Sequence, residues 1–235
     1  MLRAAMRCVV ALNVRSGAGT CAIRLRNYLD NLNPDTVVLT ERRDNAAGLT
    51  FASWAEGRGM VHATLTDGYT ANGVVLASLD HFVSESATPA GQGAGCLMLV
   101  RFRRVTLLSC YLPQLEAKAA FLASGSANSA FRRPQHRQSA CRSKRGSWKI
   151  LLLRSFRSTH INRRTADLWR LTNGANREWT WLSPQKKNGF RIDHAFGNQA
   201  FVAAAGPVCT YDHWPRDNRL TNHSAIVVRI SGGQP

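Results

Sequence analysis

The stretch Met6-Arg-Cys-Val-Val-Ala-Leu-Asn-Val14 and its counterpart Thr36-Val-Val-Leu-Thr-Glu41 decide the fold class. Both are apolar, β-branched and without polar alternation, the pattern of strands covered on both faces. Gly17-Ala-Gly19 reads as a turn after the first run. Ile23, Leu25, Tyr28, Leu29 and Leu32 then fit one face of a helix, with Thr20 as its N-cap and Asn33-Pro34 as its end. A helix between two buried strands is an α/β unit. It leaves Asn13 and Glu41 at corresponding strand ends.

Working outward, Gly73-Val-Val-Leu-Ala-Ser78 and the runs 95–102 and 105–111 read as consecutive sheet strands. Residues 149–153 and 224–230 supply two more strands, and 161–171 a short helix. Residues 123–147 are rich in Ser, Arg, Ala and Gln, contain Pro134 and show no firm period, so a basic mobile loop is expected there. Residues 231–235 read as a frayed tail. The length of 235 residues fits one domain over 1–230.

No apolar run approaches the ~18 residues of a membrane helix, so no membrane partner is expected. Cys8-Val-Val-Ala-Leu12 breaks at Asn13, too early for a secretory segment, which reads as a cytoplasmic chain. Six cysteines (Cys8, Cys21, Cys96, Cys110, Cys141 and Cys209) form no Cys-x-x-Cys pair. They read as reduced thiols, with Cys8, Cys96 and Cys110 inside or beside strand runs as small hydrophobes. The net charge of +17 points toward phosphates, but it is concentrated. Residues 117–166 hold twelve Lys or Arg and no Asp or Glu, leaving 19 basic against 14 acidic residues elsewhere. Arg132, Arg133, Arg142, Lys144 and Arg145 are the candidate nucleic-acid contacts in that segment.

Two further strings carry chemistry. Phe190-Arg-Ile-Asp-His194 and Leu220-Thr-Asn-His-Ser224 each set a polar residue beside a histidine at the edge of an apolar run. A carboxylate such as Asp193 can fix the tautomer of a histidine such as His223, which then stabilises charge on a phosphoryl oxygen.

Taken in order with Leu12-Asn-Val-Arg15, Pro34 to Glu41, Gly73 to Ser78 and Tyr111-Leu-Pro113, these strings resemble the endonuclease/exonuclease/phosphatase family, which includes exonuclease III-type nucleases and DNase I. The resemblance spans most of the chain. It implies a DNase I-like, two-sheet α/β/β/α sandwich and a Mg²⁺- or Mn²⁺-dependent phosphodiesterase acting as a monomer on nucleic acid or a small phosphoester. It assigns Glu41 to the metal, Asn13 and Tyr111 to the phosphate, and Asp193 with His223 to the scissile group. Asn222 stands where the family has a metal-binding or base-positioning aspartate.

The chain departs from the family at its centre. Where the family carries Gly-Asp-Phe-Asn, this sequence has Leu153-Arg-Ser-Phe-Arg157, so Ser155 replaces the nucleophile-activating aspartate and Arg157 the phosphate-contacting asparagine. A serine hydroxyl is no general base near neutral pH, and such a base is worth ~10²–10⁴ in rate. These arginines belong to the acid-free segment, which a frame error and plain divergence account for equally well. Impaired catalysis is therefore expected. The alternatives are an inactive nucleic-acid-binding module of the same fold, or a degraded product.

Overall fold

The computed structural model describes residues 7–66, 72–88, 96–112, 148–154, 165–183, 185 and 188–231. The expected basic loop at 123–147 and the tail at 232–235 lie outside the described residues. Among the described residues the strands form two six-stranded sheets and one two-stranded hairpin.

The first sheet is built around β1 (Cys8–Asn13), which pairs in parallel with β2 (Thr36–Arg42). Beyond β2 come β3 (Val61–Thr66), at the edge, and β4 (Gly73–Ser78), so that the sheet order on this side is β1-β2-β4-β3. The second sheet begins with β5 (Val83–Ser86), β6 (Cys96–Arg101), β7 (Val105–Tyr111) and β8 (Trp148–Arg154). It is completed by β9 (Thr165–Asp167) and β12 (Asp193–Asn198), in the order β5-β6-β7-β8-β12-β9. Between these two strands in sequence lies the hairpin of β10 (Trp181–Leu182) and β11 (Gly189–Phe190). Strands β13 (Pro207–Asp212) and β14 (Ala225–Ile230) return to the first sheet beside β1.

Every residue of β1 is buried because its two faces meet different layers. Val9 and Ala11 point with Val38, Val74 and Leu76 toward Met98, Val100 and Leu107 of the second sheet. Val10 and Leu12 point the other way with Val37, Leu39 and Val75, into a core closed by two helices. These are α1 (Ala22–Leu32), which supplies Leu25, Tyr28 and Leu29, and α2 (Ala46–Gly57), which supplies Phe51, Trp54 and Ala55. Two shorter helices, α3 (Leu168–Asn173) and α4 (Gln199–Ala205), extend the core between the sheets, to which they add Leu168, Trp169, Phe201 and Ala205. Gly197 on β12 makes their approach possible, since a Cβ there would lie 2.8 Å from Phe201 and 2.9 Å from Leu168. The described residues thus form two sheets packed face to face, with α1 and α2 on the outer face of the first.

Several expectations are corrected. Thr20 does not cap α1: it lies in a 3₁₀ turn over Gly19–Cys21, and the helix starts at Ala22 without a side-chain cap. Ile23 is 59% exposed, because at 100° per residue it faces away from the stripe of Leu25, Tyr28, Leu29 and Leu32. The helix does end at Asn33, which takes the left-handed conformation at φ 46°. Gly73–Ser78 does not share a sheet with the next two runs, since β4 is in the first sheet and β6 and β7 are in the second. In the expected helix at 161–171, residues 165–167 form β9 instead; the helix begins only where the Asp167 carboxylate accepts from the N–H groups of Trp169 and Arg170.

Cys8, Cys96, Cys110 and Cys209 are buried, and burial pushes the Cys209 thiol up to about 12. Such a thiol is chemically quiet. Among the described residues no helix is long and apolar enough to cross a membrane.

Candidate active site

The parallel pairing of β1 and β2 sets Asn13 directly opposite Thr40, one residue before Glu41. There β2 bulges, with a register shift between Thr40 and Arg42, and Glu41 takes φ 59°. A non-glycine residue in that conformation is strained, and such strain concentrates at functional positions. The bulge turns the Glu41 carboxylate, 7% exposed, onto Asn13. Asn13 Nδ2 donates to Oε1 at 3.0 Å and the Ser16 N–H donates to Oε2 at 3.1 Å.

The loop supplying Ser16 is itself wound left-handed, with positive φ at Arg15, Ser16, Gly17, Ala18 and Gly19. Ala18, at φ 62°, carries a Cβ penalty of roughly 1–2 kcal/mol. Ala18→Gly removes that penalty against ~0.5–1 kcal/mol of extra chain entropy. It should raise stability by about 0.5–1 kcal/mol in chemical denaturation; a loss would show that the Ala18 methyl contributes more by packing.

The second half of the site comes from β12 and the turn before β14. Asp193 opens β12 and is 7% exposed; its N–H donates to Thr180 Oγ1 at 3.0 Å. Its Oδ2 meets His223 Nδ1 at 2.8 Å. A carboxylate oxygen accepts only, so Nδ1 carries a proton and the ring is held with Nε2 on its far side. The two halves are joined. The His223 N–H donates to Thr221 Oγ1 at 3.3 Å, and that hydroxyl donates to the Asn13 carbonyl at 2.7 Å. A hydrogen-bonded path thus runs from Glu41 through Asn13 and Thr221 to His223 and Asp193, which lie on different sheets.

Tyr111 ends β7, 6% exposed, and its hydroxyl accepts from Asn72 Nδ2 at 3.5 Å. Asn72 Oδ1 in turn accepts from Arg43 Nε at 2.8 Å. Asn222 precedes His223, and its Oδ1 is buried without a hydrogen-bond partner among the described residues. Ser155, Arg157, Arg132, Arg133, Arg142, Lys144 and Arg145 lie outside the described residues. Among the described residues, no three His, Cys, Asp or Glu side chains gather as a metal cluster.

Sequence reasoning missed several contributors. Arg43 and Asn72 carried no motif. Asp167 accepts from Arg191 NH2 at 2.7 Å and contacts His194 Nδ1 at 3.3 Å, besides capping α3. His213 bridges Glu178 Oε1 at 2.9 Å and Ser224 Oγ at 2.7 Å. The hairpin of β10 and β11 sits against the turn that carries Asn222 and His223, with Trp181 in a backbone bridge to His223 and the Leu182 N–H donating to the Asn222 carbonyl at 3.3 Å.

Burial alone would raise the Asp167 carboxyl, but hydrogen bonds from His194 and Arg191 outweigh it and hold the group well below the usual carboxylate range. A depressed pKa contributes stability that is complete above the unfolded value near 4 and is lost as pH falls toward the folded value. Stability measured by denaturation should therefore fall on acidification below pH ~4, and less steeply in Asp167→Asn. Equal slopes would contradict the ionised assignment.

No family sequence model matches the chain, and neither does any curated protein sequence. Solved structures do resemble it. An AP endonuclease from Archaeoglobus fulgidus superposes with a TM-score of 0.73 at 13% identity, over 96% of this chain and 100% of its own. The 3′ phosphatase NExo from Neisseria, bound to product DNA hairpin, gives 0.70 at 16% identity, over 96% and 99%. TDP2 from D. rerio, complexed with single strand DNA product, gives 0.71 at 15% identity, over 97% and 99%. The fold of this chain is the DNase I-like α/β/β/α sandwich that these structures share.

Proposed function

We propose that the chain carries an impaired phosphodiesterase site, directed at phosphodiester bonds in DNA or a related phosphoester. The observation that carries this reading is the hydrogen-bonded path joining Glu41, Asn13, Thr221, His223 and Asp193. The path joins residues that the resemblance assigns to metal and to phosphate, which supports this reading. The DNA-bound phosphatase and TDP2 structures of the same fold support nucleic acid as the substrate class.

The donor set fits a hard divalent cation weakly. Glu41 is a carboxylate, and Asn222 Oδ1 is a buried oxygen without a hydrogen-bond partner among the described residues; these two would hold Mg²⁺ or Mn²⁺. When bound, the ion would offset negative charge on a phosphoryl oxygen. Asn13 orients Glu41 and offers its amide to the phosphate, and the Tyr111 hydroxyl reaches the same group from the second sheet. Asp193 holds the Nδ1 proton of His223, which leaves Nε2 to serve the scissile phosphoryl oxygen.

Two features lower activity. The base position is Ser155, which cannot take a proton from water near neutral pH. The His223 side chain is only 1% exposed, so its neighbours must part before a phosphate reaches Nε2. The second reading, a nucleic-acid-binding module without turnover, is favoured by the twelve basic residues of 117–166.

Calorimetric titration with Mg²⁺ tests the metal half. The parent should show weak binding that disappears in Glu41→Ala, because Ser155 and Asn222 contribute no charge. Equal binding by both proteins would remove Glu41 from the assignment.

A further inference from the structure

We propose that Tyr211 is the positioning residue that holds Asp193 against His223, with Arg191 and Asp167 fixing Tyr211 in turn. The inference rests on the phosphodiester reading of the Asp193 and His223 pair. Asp193 stands on β12 in the second sheet, whereas His223 leads into β14 in the first. Their 2.8 Å contact therefore depends on how the sheets are held relative to each other. Tyr211 is on β13, paired with Ile226 of β14, so it moves with the His223 side of the site. Its hydroxyl crosses to the Asp193 carbonyl at 3.0 Å.

The direction of that bond is forced. Arg191 NH1 lies 3.1 Å from the Tyr211 oxygen, and a guanidinium can only donate. The Tyr211 oxygen accepts from Arg191, and its own proton is directed to the Asp193 carbonyl. Asp167 Oδ2 holds the other arm of the guanidinium at 2.7 Å. Trp169 lies beneath both groups, 5.5 Å from the Tyr211 ring at 21° and 5.1 Å from the Arg191 guanidinium carbon. Burial pushes the Tyr211 hydroxyl up, so it keeps its proton at any ordinary pH. With Thr180 accepting from the Asp193 N–H, the backbone of Asp193 is held at both polar groups.

The test reads the hydrogen bond and not turnover: the exchange rate with water of the His223 Nδ1 proton, by NMR of the ¹⁵N-labelled protein. Tyr211→Phe keeps the ring stacked on Trp169 and removes only the hydroxyl. Arg191→Lys keeps the charge beside Asp167 but cannot reach two partners as a fork. Phe201→Leu, on the buried face of α4, controls for general loosening. Exchange should accelerate at least tenfold in Tyr211→Phe and in Arg191→Lys, and stay within twofold of the parent in Phe201→Leu. An unchanged rate in Tyr211→Phe, equal acceleration in the control, or no protected Nδ1 proton in the parent would overturn the proposal. Absence of cleavage by the protein, measured separately, would count against the phosphodiester reading and leave the exchange result standing.

Discussion

Ser155→Asp, Arg157→Asn and Asn222→Asp, introduced together, should raise Mg²⁺-dependent cleavage of DNA or a simple phosphodiester by ~10²–10⁴ over the parent. The parent retains Asn13, Glu41, Asp193 and His223, and the first two already share a hydrogen bond at 3.0 Å. It lacks a group able to take a proton from water and a second negative charge for the cation. The three changes supply both, and they remove the positive charge at 157. Strand β8 carries the chain to Arg154, which lies opposite Asp193 in the β12 ladder, one residue before position 155 in the sequence. The gain should be strongly non-additive, since a base without a charged metal site leaves the catalytic unit incomplete. A further His223→Ala change in that background should abolish the gain. A folded triple variant without cleavage would mean that Leu153 to Arg157 does not correspond to the family motif.

The second large effect concerns salt. A stretch of twelve basic residues without an acid predicts sequence-independent binding whose affinity falls steeply with ionic strength. Each neutralised phosphate contributes about 0.9 to the slope of log affinity against log salt for duplex DNA, so neutralising Arg132, Arg133, Arg142, Lys144 and Arg145 together should flatten it by up to ~4.5. Fluorescence anisotropy of a labelled duplex between about 50 and 200 mM salt gives the slope directly. An unchanged slope would show that the segment does not touch phosphates, and would remove the support for a binding module.

The strands that frame the site were legible because burial on both faces leaves an unbroken β-branched run, as in β1 and β2. Helix α2 was not. Its sequence Ala46–Gly57 carries two glycines, and the buried Gly48, Phe51, Trp54 and Ala55 form a stripe with little aliphatic content. The available signal was Asn45, whose side chain accepts from the Gly48 N–H at 3.0 Å as an N-cap. β3 was missed because it is an edge strand whose exposed residues mix with threonines. In the site, Glu41 and Asn13 could be placed because parallel strands bring their ends together. Asp193 and His223 are separated by 30 residues and meet across two sheets, so motif resemblance paired them where spacing could not. Thr221, Arg191 and Tyr211 join the site through side-chain contacts with no fixed sequence interval. Asp167 was hidden because a three-residue strand and a helix cap coincide in it.

The central claim is that Glu41 and His223 belong to one phosphate-handling site. Mn²⁺ offers the most direct measurement, because its paramagnetism broadens nuclei near the ion whether or not the protein turns over. Titrated into the parent, Mn²⁺ should broaden the His223 ring resonances along with those of Asn13, and Glu41→Ala should remove both effects. Mn²⁺ binding that depends on Glu41 yet leaves His223 sharp would contradict a shared site.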